Sequence, residues 1–190
     1  MDSLSRKKVR EYIYHMETLE DVIDISKEAE IEFRDAMTGH NESALQALSP
    51  KEGDPKPKKV EDDESVNFED KSFKKLFRKL AVKCHPDKLN DSYSDREKEF
   101  LKGCYEGINK ANDTYDWGLL LKVAIDLDVE FTDLSEEHLN NISENIDKLK
   151  SKIERYEQSM AYKWFTLSDP TIRDAYLKSC ADIFMKSLGE

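Results

Sequence analysis

The chain has 190 residues, 37% charged and 38% hydrophobic, and carries a net charge of −11. That length suits one globular domain or two small ones. Six glycines and five prolines are too few for the turns of an all-β sandwich, and the acidity disfavours a generic nucleic-acid or membrane-surface binder unless positive charge is gathered locally. No apolar run approaches the ~20 residues of a membrane span, and no apolar segment follows the polar N-terminus as in a secretory leader. Cys84, Cys104 and Cys180 lie too far apart for a zinc ribbon or a disulfide framework. A reducing, cytoplasmic setting is the expectation.

In chain order, residues 6–37 read as a helix, with Val9, Tyr12, Met16, Leu19 and Ile23 in steps of three and four and Phe33 and Met37 continuing the row. Gly39 is a candidate stop. A short helical piece covers Glu42 to Leu48, and SPKEGDPKPKKVEDDE, beginning at Ser49, reads as an exposed linker. Residues 70–84 form a second helix whose Phe73, Leu76, Phe77, Leu80, Ala81 and Cys84 make one apolar stripe. Pro86 ends it by disfavouring helical geometry at His85. A third helix spans Asp95 to Thr114, with Phe100, Leu101, Cys104, Ile108 and Ala111 on one side and Gly103 and Gly107 offering a slot for a close neighbour. Leu119 to Asp126 is a short apolar helix. Residues 134–165 read as one long helix, with Leu139, Ile142, Ile146, Leu149, Ile153, Tyr156 and Met160 as a heptad seam. Such a seam closes either within the chain or as a homodimer, which heptads do not distinguish. Asp169-Pro170 starts the last helix, which carries Ile172, Tyr176, Ile183 and Phe184. No strand pattern stands out.

The segment Lys71 to Lys88 concentrates seven basic residues against one acid, Asp87, inside an acidic chain. On a helical wheel Lys74, Lys75, Arg78, Lys79 and Lys83 lie away from the apolar stripe, so one face is core and the other a cationic strip. His85-Pro86-Asp87-Lys88 follows as a rigid turn displaying a ring, a fixed bend and a carboxylate. His15, His40 and His138 have no ligand-spaced partners and read as surface residues. Cys84 falls in the apolar stripe, so a metal reading of Cys84, His85 and Cys104 is set aside. No nucleophile elbow, phosphate loop or dinucleotide fingerprint is present, and an enzyme reading has no support.

FKKLFRKLAVKCHPDK, Phe73 to Lys88, followed by FLKGCYEGINKAND, Phe100 to Asp113, resembles the second helix, His-Pro-Asp loop and third helix of the J domain of DnaJ-type co-chaperones. Tyr115 to Glu130 is similar, more loosely, to the tail of truncated J-like proteins from bacteria and their phages. Two positions depart from the family pattern. Lys58 to Asp70 is acidic and poor in large apolar residues where a first helix is usual, and Asn112 stands where an aromatic follows the alanine of the third helix.

The periodicity and the resemblance, which covers about Glu69 to Asp113, together give an expected all-α fold: an antiparallel J-type helix pair with its His-Pro-Asp loop, an N-terminal helix, and long C-terminal helices packed as a hairpin or coiled coil. The expected division is an N-terminal helical segment (1–48), a charged linker (49–66), a J-like domain (67–116) and a C-terminal helical region (117–190). The resemblance also implies a partner, a DnaK-type heat-shock protein 70 ATPase. Lys74, Lys75, Arg78, Lys79, Lys83 and Lys88 would face it, Asp87 would be the trigger, His85 would position the loop and Pro86 would hold its shape. No cofactor, metal, nucleic acid or membrane is expected, and the client is unspecified. Were the origin viral, the setting would be the host cytoplasm. The competing reading is a helical adaptor with a vestigial loop. A final expectation is that the apolar side of Phe73, Leu76, Leu80, Ile108 and Ala111 is covered by Leu119–Ile125, with the long helix packing on the N-terminal one.

Overall fold

The computed structural model describes residues 3–40, 70–89, 92–131 and 134–188. Among the described residues the α-helices are α1 (Ser3–His40), α2 (Lys71–Cys84), α3 (Asp95–Thr114), α4 (Trp117–Asp126), α5 (Glu136–Glu157), α6 (Met160–Thr166) and α7 (Pro170–Leu188). The fold is all-α, and no strand occurs among the described residues. The expected helix at Glu42–Leu48 and the linker at 49–66 lie outside them. Gly39 does not stop α1, which continues to His40.

The helices fall into two compact units, with boundaries inside α1 (Glu17/Thr18) and α5 (Lys150/Ser151). In the first unit Phe73, Leu76, Leu80 and Cys84 of α2 meet Cys104, Ile108 and Ala111 of α3. An antiparallel pair this short gains most of its stability from tertiary packing, and its open side is covered as the sequence implies. Leu120, Leu121, Val123 and Ala124 of α4 join the same core, with Val9 and Tyr12 of α1 and Ile142 and Ile146 of α5. Thus the first half of the heptad seam closes within the chain, and Lys150 pairs with Glu11 across it at 3.2 Å.

Caps set the ends. Ser94 and Glu97 form a reciprocal capping box at the start of α3. Asp116 caps α4 through the Leu119 N–H at 3.1 Å and accepts the Tyr12 hydroxyl at 2.7 Å. Burial and the neighbouring Asp116 carboxylate push the Tyr12 phenol well up from its ordinary range. In the second unit Ala29, Phe33 and Met37 of α1 pack with Ala161 and Trp164 of α6 and Leu177 and Cys180 of α7. Phe33 meets Trp164 edge-on at 5.5 Å, and the Arg173 guanidinium lies 3.9 Å over the Trp164 ring.

Several expectations are corrected. The helix drawn over 134–165 stops at Glu157, and a new one starts at Met160. The reason is Ser159, whose hydroxyl accepts the Tyr162 N–H at 3.2 Å and offers the backbone a cap in place of continuation. The seam accordingly ends at Ile153, and Tyr156 and Met160 are exposed. Phe100 is no core residue but 50% exposed. His85, just past the end of α2, meets Tyr105, so the first turns of α3 lie beyond the end of α2, where Leu101 turns to the core and Phe100 to the outside. On α7 the buried positions are Leu177 and Cys180, while Ile172 and Ile183 face out.

The glycines divide too. A Cβ at Gly107 would stand 3.1 Å from Val123, a close approach, whereas Gly103 has open space around it. At Gly118 a Cβ would fall within the Tyr12 ring, which its own hydroxyl bond holds in place. Gly118→Ala is therefore expected to cost about 1–3 kcal/mol through overpacking. Gly103→Ala is expected to gain about 0.5–1 kcal/mol through helix propensity alone. Urea unfolding of the two variants beside the parent checks both signs.

Candidate functional site

The site begins at the end of α2. The helix closes with the His85 N–H on the Ala81 carbonyl, and His85 takes the extended geometry (φ −61, ψ 132) that a following proline demands. Pro86 then occupies the first position of a 3-10 turn, Pro86–Lys88, where its missing N–H costs nothing. The turn is closed by Lys88 N–H to His85 O and Leu89 N–H to Pro86 O, both 3.0 Å.

His85 does two jobs here. Its ring stands edge-on to Tyr105 of α3 at 5.2 Å, and its Nδ1 accepts the Asp87 N–H at 3.3 Å. The backbone of Asp87 is thereby fixed, while its carboxylate is 87% exposed with one oxygen 3.5 Å from the same Nδ1. The chemistry available is presentation of a carboxylate on a rigid stalk. Among the described residues no group of His, Cys, Asp and Glu is placed to hold a metal ion. Cys84 and Cys104 are buried thiols; burial pushes both up, Cys104 to about 11.

Lys74, Lys75, Arg78, Lys79, Lys83 and Lys88 are all exposed, so the cationic strip runs along α2 to the loop. They are not equivalent. Lys79 Nζ donates to the Glu130 carbonyl at 2.7 Å, and Lys83 Nζ to the Leu127 and Asp128 carbonyls at 2.9 and 3.3 Å. These two lysines, read in the sequence as part of an outward face, are engaged within the chain.

At the opposite end of α2 lies a cluster the sequence reading missed. Asp70 caps the helix, its Oδ1 accepting the Ser72 and Phe73 N–H groups at 2.8 and 3.1 Å. Its Oδ2 accepts the Tyr115 hydroxyl at 2.8 Å, Trp117 Nε1 at 3.3 Å and His138 Nε2 at 3.2 Å. His138 is therefore no surface residue: its side chain is 12% exposed and stacks on Trp117 with centroids 4.1 Å apart. Its Nδ1 accepts the Ser135 N–H at 3.2 Å, which leaves the ring proton on Nε2 facing Asp70. Histidine here stands where a capping box usually has glutamate, because the His138 N–H returns to Ser135 Oγ at 3.3 Å.

Tyr115 sits at φ 49, a left-handed conformation costing about 1 kcal/mol for a residue with a Cβ. It is held there by Asp70 and by its ring 5.0 Å from that of Phe73. Asn141 completes the corner, accepting the Trp117 N–H at 3.1 Å and donating to the Tyr115 carbonyl at 3.0 Å. Burial and the bond to Asp70 push the Tyr115 phenol up to about 12, though Trp117 partly offsets this. The legible signal was Asp70 as a cap for the helix of Phe73; nothing local in the sequence pairs it with Tyr115, Trp117 or His138.

Burial alone would raise the Asp70 carboxyl, but the bonds from Phe73, Tyr115 and Ser72 outweigh it and hold the group below the ordinary carboxylate range. The folded state then binds fewer protons than the unfolded one between the two pKa values. Asp70 thus contributes stability that is full above the unfolded value of about 3.9 and is lost as pH falls through the folded value. Asp70→Asn is expected to cost about 1–3 kcal/mol at neutral pH, because an amide nitrogen cannot accept from Tyr115, Trp117 and His138. The variant is also expected to lose less further stability than the parent between pH 5 and pH 2, by roughly the same linkage argument. Denaturant midpoints measured across that range check both statements. No protein-family model, curated protein or solved structure matches this chain.

Proposed function

We propose that this protein is a co-chaperone of the J-domain type, which binds a DnaK-type heat-shock protein 70 and stimulates its ATP hydrolysis. The observation that carries the reading is the Asp87 carboxylate, projected from a proline-fixed turn at the end of a basic helix that is itself clamped antiparallel to α3. The carboxylate is 87% exposed, with only the adjacent loop histidine beside it, while its backbone is held by that same ring. Lys74, Lys75 and Arg78 add an exposed cationic surface leading to it, of the kind that steers an acidic partner and sets on-rate and orientation.

The chemistry then belongs to the partner. This chain shifts the ATPase toward its hydrolysing state by binding that state better, and no residue of its own touches nucleotide. The first helix expected of the family has a functional counterpart in α4, which supplies Leu120, Leu121, Val123 and Ala124 to the core of the helix pair. A cytoplasmic location goes with this partner; in the chain itself, no helix of the described residues is long and apolar enough to cross a membrane.

Two outcomes test the reading. Asp87→Asn is expected to leave the urea midpoint unchanged and to abolish stimulation in a single-turnover ATPase assay with a DnaK-type chaperone. Parent-like stimulation by the variant rejects the mechanism, and absence of stimulation by the parent favours the helical adaptor. Lys75→Glu with Arg78→Glu is expected to lower the association rate about tenfold or more at low salt and to flatten its salt dependence, with little change in stability. Stopped-flow association rates at two ionic strengths measure this.

A further inference from the structure

The turn that ends α4 is built to offer carbonyl oxygens. Leu127 caps the helix, Asp128 stands at φ 49, and the Val129 N–H closes back on the Ala124 carbonyl at 2.8 Å. This backbone is locked by its own bonds, so the Leu127 and Asp128 carbonyls are fixed acceptors at the negative end of α4. Lys83 reaches both, and Lys79 reaches the Glu130 carbonyl beyond them. An ammonium on such carbonyls makes charge-assisted bonds.

The same five residues, Asp126 to Glu130, carry three carboxylates. Asp126 pairs with Lys122 of its own helix at 2.9 Å, while Asp128 and Glu130 are exposed. An acidic segment therefore lies along one edge of the cationic strip and is gripped by two of its lysines. Among the described residues Lys74, Lys75 and Arg78 make no such bond, so two of the five cations along α2 are engaged. An acidic protein surface approaching α2 meets the charges it needs already shared with a segment of matching sign.

We propose that the acidic connection Asp126–Glu130 is a built-in competitor for the basic strip of α2, which an acidic docking partner displaces from Lys79 and Lys83. This rests on the reading of α2 as a docking face. It assigns the strip's residues to two roles: Lys74, Lys75 and Arg78 make the encounter, and Lys79 and Lys83 exchange internal carbonyls for the partner's carboxylates as docking completes. Discrimination follows from the exchange, because a weakly acidic surface gains too little to break the internal bonds.

The experiment uses the full chain and a fluorescent polyglutamate peptide as the acidic probe, with no chaperone present. The test variant is Asp128→Asn with Glu130→Gln; asparagine tolerates the left-handed position of residue 128. The control variant removes the same charge elsewhere, at two exposed acids of the second unit, Glu28→Gln with Asp182→Asn. The test variant is expected to bind the peptide about threefold or more tighter than the control. Nuclear magnetic resonance of the lysine ammonium protons is expected to show Lys79 and Lys83 protected in the free parent and deprotected at saturating peptide. Equal affinities of the two variants, or unchanged lysine protection on binding, overturns the proposal. Failure of the ATPase assay bears on the chaperone reading alone, since none of these measurements involves a chaperone.

Discussion

The first unit is organised around one carboxylate. Asp70 serves at once as the cap of α2, the acceptor for the residues at the α3–α4 corner and the partner of a histidine on α5. A partly buried, ionised carboxylate is costly unless its lone pairs are used. Here backbone N–H groups, a phenol, an indole and an imidazole use them, and the aromatic rings of Phe73, Tyr115, Trp117 and His138 close over the polar centre. The left-handed corner at Tyr115 and the start of α5 at Ser135 both answer to this centre, so the directions in which α4 and α5 leave the helix pair are set by hydrogen bonds rather than by apolar packing alone.

This explains a division of labour along α2. One end is deeply fixed by Asp70 and the aromatic cluster. The other carries His85-Pro86-Asp87, where beyond the buried Cys84 the loop is closed by a short turn and one ring against Tyr105. Between them runs the apolar stripe of Phe73, Leu76, Leu80 and Cys84, which seats the helix so that its cations face out. The helix is a strut with an anchored foot and a presented tip, and the tip's geometry is local enough to be retained while its surroundings vary.

What was legible in the sequence follows from what each signal measures. Periodicity and caps report local energetics, and they place α2, α3, α4 and the start of α7 within a residue or two. The His-Pro-Asp turn was legible because proline constrains its neighbours whatever the fold. The aromatic cluster was not, because Tyr115, Trp117 and His138 lie 45 to 68 positions from Asp70 and only the three-dimensional path brings them to it. The heptad seam misled beyond Ile153, since apolar periodicity runs through Ser159 without registering that its hydroxyl caps a new helix. The same limit applies to Lys79 and Lys83: a helical wheel shows which way a lysine faces, not which carbonyl waits there.

The two tryptophans of the chain are divided one to each unit, and each has a cation-capable group against its ring. Trp117 stacks on the His138 imidazole, and Trp164 lies under the Arg173 guanidinium. Both indoles are buried, one beside an imidazole and the other beneath a guanidinium. The molecule is thus supplied with its own pair of optical reporters, and replacing either tryptophan by phenylalanine turns intrinsic fluorescence into a record of one unit at a time.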